Sequence, residues 1–169
     1  GCEILIITNS AGSLIDDVDP GKLVLIDDHI NFTGVSPLFG IEGNERFVDM
    51  VNAYDPKIRK IFKNVAIENN IPLKEGVYTW FSGPNFETPS EIRAAKLLGG
   101  HVVGMSTVPE VILSRFFGLK VAAISIITNM GAGMGEDKLS HEKTIKNANA
   151  ASESLNVLLT QFLKKINDK

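Results

Sequence analysis

Five short runs rich in Val, Ile, Leu and aromatic residues, at 3–8, 22–27, 76–82, 101–104 and 120–127, are separated by stretches that read as helices or long turns. This alternation constrains the fold more than any other feature. Strands that follow one another in parallel need crossovers, and helical crossovers cover both faces of the sheet they connect. The expected architecture is an α/β sandwich on a mostly parallel sheet, formed by residues 1–169 as one domain.

The helix signals are local and specific. Asp55 caps a helix over 56–70, with Pro56 at the first helical position and Ile58, Ile61, Phe62 and Val65 along its apolar face. Thr88 and Glu91 form a capping box around Pro89, and Gly99-Gly100 stops that helix. A third helix follows Ser106, with Pro109 in its first turn. The last spans 140–166, with Ser140 as cap and a stripe through Ile145, Ala148, Leu155, Leu159, Phe162 and Ile166. Stretch 32–46 has Gly and Pro but no period, and reads as a long loop.

Composition narrows the function classes. Hydrophobic residues make up 44% and charged residues 22%, with a net charge of −3; that balance suits a folded domain and excludes disorder. No Lys/Arg cluster offers the basic footprint that nucleic acid requires, and no apolar run is long enough to span a membrane. The single cysteine, Cys2, lies in an apolar run. It reads as a buried small hydrophobe in a reducing, cytoplasmic protein. His29 and His101 look structural and form no ligand cluster with that cysteine, so no metal is expected. Asp27 and Asp28 are adjacent on a strand and point to opposite faces, which argues against a paired-carboxylate site. Gly1 leads directly into a buried strand, as in a chain cut from something longer.

Four unusual segments follow strand-like runs: Asn9-Ser10-Ala11-Gly12-Ser13, Gly83-Pro84-Asn85-Phe86-Glu87-Thr88, Gly104-Met105-Ser106-Thr107 and Thr128-Asn129-Met130. In open α/β sheets, ligands collect beyond the carboxyl ends of the strands, so the four are expected to converge there. Phe86 beside Glu87 offers a flat π-face and a strong acceptor, as a heterocyclic base with an N–H edge requires; alone, Phe86 reads as core. The turn expected at Asn9–Ser13 either needs its glycine or holds an anion on backbone N–H groups. Ser106 is either a helix cap or an anion ligand, and one residue can do both. Met105 is core filler or an apolar face for a sugar, and Asn129 is a turn former or an amide that donates and accepts. His141, at the start of the last helix, reads as a solvated residue or a neutral hydrogen-bonding group. Gly131, Gly133 and Gly135 match neither the dinucleotide fingerprint nor the P-loop, and read as a gate between strand and helix.

Together these segments resemble the trimeric purine nucleoside phosphorylases and their bacterial xanthosine-cleaving relatives. The pieces that carry the resemblance are Thr8–Ser13, Asp28-His29-Ile30-Asn31, Gly83–Thr88, Val103–Glu110 and Ile127-Thr128-Asn129, in family order across nearly the whole chain. The resemblance implies a three-layer sandwich with a mostly parallel mixed central sheet. It also implies reversible phosphorolysis of 6-oxopurine nucleosides (inosine, guanosine, xanthosine) to free base and ribose 1-phosphate. Phosphate is then a co-substrate, no cofactor is needed, and the assembly is a homotrimer without nucleic-acid or membrane partners. Carried over by position, Glu87 and Asn129 hold the purine edge and Phe86 packs on its face. Val103 and Met105 line the nucleoside site, with Met105 against the ribose. His141 reaches the ribose 5′-hydroxyl, while Ser10 and Ser106 contact phosphate. Phe47 matches an aromatic lent by a neighbouring subunit. The family's N-terminal portion, with a Gly-rich phosphate loop and basic residues, has no counterpart here. A competing reading is therefore a purine-binding fragment, or decayed copy, without turnover.

Overall fold

The computed structural model describes the backbone of residues 1–135 and 141–167, and the side chains of 1–135 and 151–167. Five strands, β1 (Ile4–Ser13), β2 (Leu23–Asn31), β3 (Leu73–Trp80), β4 (Val102–Gly104) and β5 (Lys120–Met130), carry four helices between and after them. The helices are α1 (Pro56–Glu68), α2 (Pro89–Leu97), α3 (Val108–Phe116) and α4 (His141–Asn167). The mixed α/β class expected from the sequence holds. The sheet curls until it closes, in the order β1-β4-β3-β2-β5. The β1–β5, β2–β3 and β3–β4 pairs are parallel, whereas β2–β5 and β1–β4 are antiparallel.

Alternation along the strands divides the core. Leu23, Leu25, Ala122 and Ile124 face outward onto α1 and α4, where the Phe62 and Phe162 rings stack with centroids 4.0 Å apart. Val24, Ile26, Val121 and Ala123 face the other way, onto Tyr54, Tyr78, Trp80 and the α3 residues Val108 and Val111. A smaller cluster of Leu14, Ile92, Ala95 and Val103 seats α2.

The capping signals act as expected. Asp55 accepts from the Lys57 and Ile58 N–H groups at 2.8 and 2.9 Å. Thr88 and Glu91 exchange both capping-box bonds, at 2.6 and 3.2 Å, and Gly99 ends α2 at a φ of 91°. In α4, Leu155, Leu159, Phe162 and Ile166 form the inward stripe. Ser140, and the side chains of Ile145 and Ala148, lie outside the described residues.

Several boundaries differ from expectation, for one physical reason. Asn9–Ser13 is not a turn; it continues β1, because β5 offers a parallel partner along the whole length. β5 likewise runs through Thr128, Asn129 and Met130, and β2 reaches Asn31. Pairing with a neighbour outweighs the weak strand propensity of small and amide residues. Gly131 donates its N–H to the Ser13 carbonyl at 2.7 Å, so the first glycine of the expected gate is tied to β1. Within the long loop, Asn44–Arg46 forms a single 3-10 turn. Cys2 is exposed rather than buried, since β1 begins only at Ile4.

Candidate active site

The site is assembled where β1 leaves β5 for β4. The ladder shifts register between Ala11 and Gly12: Ala11 pairs with Ile127 but Gly12 with Asn129, leaving Thr128 as the extra residue. Gly12 also pairs with Val103 of β4. A Cβ on Gly12 would lie 3.0 Å from Asn129 Nδ2 and 3.1 Å from Val103 Cγ1, so any larger residue would press Asn129 and Val103 outward by a few tenths of an ångström. The Asn129 amide is oriented by two bonds. Its Oδ1 accepts from the Thr128 hydroxyl, and one Nδ2 hydrogen goes to the Met130 carbonyl, both at 2.9 Å. One amide N–H has no partner among the described residues.

On the β4 side, Met105 packs against Gly83. That residue has a φ of 65° and no room for a side chain, since a Cβ would meet Met105 Sδ at 2.5 Å. Tyr78 is buried on β3 beneath Gly104, and its phenol oxygen accepts the Ser106 N–H at 3.3 Å. Burial raises the Tyr78 pKa, and the charge of nearby Glu87 adds to the rise.

Glu87 is 9% exposed and no cation among the described residues pairs with it. Burial pushes its carboxyl above the usual carboxylate range. A bond to its own N–H opposes the shift, and the charge of Glu91 reinforces it. Phe86 beside it is 42% exposed, so it is not the core residue that a lone Phe suggests. The structure thus joins Val103 and Asn129 at Gly12, Met105 to Gly83, and Ser106 to Tyr78.

Two expectations about the phosphate side need correction. Ser10 is exposed and lies on an extended strand. Successive N–H groups of a strand point in opposite directions, so the expected cradle of convergent turn amides is not formed there. Ser106 does not cap α3. Thr107 occupies that position at φ 76° and ψ −53°, with no side-chain bond into the helix. The Val108 N–H instead bonds the Ser106 carbonyl at 2.8 Å, closing a γ-turn of the strained hand on Thr107. A buried β-branched residue in that region costs roughly 1–3 kcal/mol, and such strain concentrates at functional sites.

The strand polarities also change why the segments meet. β4 runs antiparallel to β1, so the two strands do not share a carboxyl edge. The register shift, not a common strand end, brings Asn129 to Val103.

Phe47 lies elsewhere in the chain. It is 74% exposed, with the Arg46 guanidinium 5.0 Å from its ring centroid. It borders a cleft of about 380 Å³ with His29, Asn31, Leu38 and Met50, and none of the other predicted site residues lines that cleft. There His29 Nδ1 meets the Tyr54 hydroxyl at 3.0 Å, and burial lowers the His29 pKa against the opposing charge of Asp28. His101 Nδ1 accepts the Val77 N–H at 3.0 Å, a structural role as expected. His141 begins α4, but its side chain lies outside the described residues.

A family model of the phosphorylase superfamily matches residues 1–164. The chain belongs to that superfamily. Within it, the chain is 42% identical to purine nucleoside phosphorylase 1 of Geobacillus stearothermophilus, covering 98% of this chain and 60% of that protein. It is 40% identical to the purine nucleoside phosphorylase of Mycobacterium tuberculosis, covering 96% and 58%. Its fold matches the Schistosoma mansoni purine nucleoside phosphorylase solved with inosine, at a TM-score of 0.86 and 32% identity over 96% of this chain and 61% of that one. A related Schistosoma structure, solved with hypoxanthine, also gives 0.86, at 33% identity. The chain therefore spans about 60% of the length of the relatives it matches.

For this superfamily member, sequence reasoning missed three polar residues: Asn9, Thr107 and Ser125. A signal was present. Ile7, Ala11, Val121, Ala123 and Ile127 face the inner core, and strand alternation puts Asn9 and Ser125 on that same apolar face. The two sit opposite each other in register. A polar pair on an apolar face calls for an explanation that the turn reading of Asn9 did not supply. Among the described residues no three His, Cys, Asp or Glu side chains gather as a metal site, and no helix is long and apolar enough to cross a membrane.

Proposed function

We propose that this chain forms the purine pocket, and part of the phosphate site, of an enzyme that reversibly phosphorolyses 6-oxopurine nucleosides. The observation that carries the reading is Glu87, a buried carboxyl with no cation among the described residues, beside the exposed ring of Phe86. When ionised it only accepts, which suits the N–H at ring position 1 of hypoxanthine or guanine and opposes the lone pair that adenine presents there. The spare Asn129 N–H suits an acceptor on the same base, at the 6-oxygen or ring nitrogen 7. Phe86 packs on the base, Val103 and Met105 line the nucleoside site, and His141 reaches the 5′-hydroxyl. Ser10 and Ser106 donate to phosphate.

In the reaction a phosphate oxygen bonds to C1′ as the C1′–N9 bond breaks. The bonding pair leaves onto the purine, which gains the proton that phosphate gives up. Asn129 stabilises the charge developing on the ring, acting as a fixed dipole in a dry site. Phosphate is the co-substrate and no cofactor takes part. The assembly is a homotrimer; Phe39, Phe47, Val51, Ile67, Leu97 and Phe117, each above 70% exposed, are among the apolar residues available to a neighbour.

The extended conformation of Asn9–Ser13 favours a second reading, a purine-binding unit with little turnover, because phosphate would be left with two hydroxyls and no convergent amides. Calorimetric titration with hypoxanthine and adenine, together with phosphate-dependent inosine cleavage, tests both. Hypoxanthine is expected to bind more tightly than adenine by about 3 kcal/mol or more, because the mismatched base leaves buried polar groups unpaired. Asn129→Asp should shift preference toward adenine, and equal affinities with no change in that variant would defeat the assignment. Hypoxanthine binding without cleavage would select the second reading.

A further inference from the structure

Four polar side chains form one line across the strand junction. Ser125 Oγ donates to Asn9 Oδ1 at 2.8 Å. That contact sends the other end of the amide outward, and Asn9 Nδ2 donates to Thr107 Oγ1 at 2.9 Å. Thr107 Oγ1 lies 3.2 Å from Ser106 Oγ. Either hydroxyl can donate across that gap, and with Thr107 accepting from Asn9 one arrangement has Thr107 as the donor and Ser106 as the acceptor. In that arrangement the Ser106 hydroxyl hydrogen is available to an outside acceptor at an exposed residue.

The Ser106 backbone is engaged on both sides, and the Tyr78 phenol lies within reach of the Ser106 and Thr107 hydroxyls. The Ser106 N–H is held by Tyr78 and its carbonyl by Val108. The strain at Thr107 has the same sense: glycine would tolerate a φ of 76° freely, yet the position carries a buried threonine whose hydroxyl ignores the helix it precedes. An anion rich in acceptors needs a donor that is already aimed.

We propose that Ser125, Asn9 and Thr107 form a directional hydrogen-bond relay that presets Ser106 as a donor to phosphate, with Thr107 as its positioning residue. The proposal rests on the phosphorolysis reading, which gives Ser106 its anion.

The test titrates the full chain with hypoxanthine, and then with inorganic phosphate at saturating hypoxanthine. Thr107→Val keeps the shape and removes the donor. It should weaken phosphate by about tenfold or more while hypoxanthine stays within about twofold. Thr107→Ser should restore phosphate to within about threefold of the wild type. Thr107→Gly relieves the backbone but lacks the hydroxyl, and should still bind phosphate poorly. Ser125→Ala, which leaves the turn intact, should weaken phosphate in the same direction but less, and it decides the matter if Thr107→Val does not fold. The relay is overturned if Thr107→Val, or in its place Ser125→Ala, titrates phosphate like the wild type, or if hypoxanthine and phosphate weaken equally. A wild type that binds hypoxanthine but not phosphate overturns the relay and leaves the purine pocket standing. One that binds neither defeats the phosphorolysis reading as well.

Discussion

Glu75 and Glu87 are both acids on or just after β3, yet they have opposite surroundings. Glu75 is clasped by Arg59 and by Lys63, the latter at 2.7 Å, and their hydrogen bonds outweigh burial to bring its pKa below the usual value. Glu87 is more deeply buried, has no cation among the described residues, and its pKa is raised. A carboxylate that only holds a fold together is matched where it stands. One left without a cation in a buried setting persists at a cost in stability, and that is the contrast on which the proposed purine pocket rests.

The first way to break this contrast is to show that the stable side of the molecule is no more stable than the site. Phe62→Ala removes one ring of the stacked pair under α1 and α4, and should cost about 3–5 kcal/mol in urea unfolding. A loss below about 1 kcal/mol would mean that this face does not anchor the fold.

Glu87→Gln should weaken hypoxanthine by about 2–3 kcal/mol, the worth of a hydrogen bond to a charged group, and should raise the melting temperature at neutral pH. The sign follows from linkage. A carboxyl whose folded pKa lies above its unfolded value destabilises the fold once it ionises, so the advantage of the variant is full above the folded pKa. It fades as pH falls toward the unfolded value. Hypoxanthine affinity of the wild type should fall through that same window, at a higher pH than an ordinary carboxylate would give. A variant less stable than wild type at pH 7 would show that Glu87 is a structural acid like Glu75.

Glu75→Gln sharpens the contrast from the other side and has the smallest effect. Its ion pairs are partly exposed, so the loss should be about 0.5–1 kcal/mol at neutral pH, with no change in hypoxanthine binding. Here the folded pKa is lowered, so the contribution is present above the unfolded pKa and disappears as pH falls through the folded one. Thermal melts between pH 3 and 7, a range spanning the unperturbed glutamate pKa of about 4.3, should therefore show the two variants converging on wild type at low pH from opposite directions.

The elements legible in the sequence were those with local causes. Asp55 with Pro56, and Thr88 with Glu91, mark helix starts through bonds within four residues, and these were read correctly. The far ends of β1, β2 and β5 were not, because Asn9, Asn31 and Asn129 are in strands only by virtue of partners across the sheet. At the site, Glu87 and Asn129 could be singled out as residue types out of keeping with their surroundings. The γ-turn at Thr107 could not, since nothing adjacent to it in sequence requires a left-handed threonine. The partner of its hydroxyl is Asn9, ninety-eight residues earlier.

The shift between Ala11 and Gly12 has a consequence for descent. Because β5 carries one residue more than β1 at that shift, loss of a single codon there would restore an even ladder. Every apolar contact upstream of that point would stay in place, while Asn129 would move to the position Thr128 now fills and turn its amide to the opposite side. One deletion would thus carry the Asn129 amide away from the proposed purine pocket in a single step of descent.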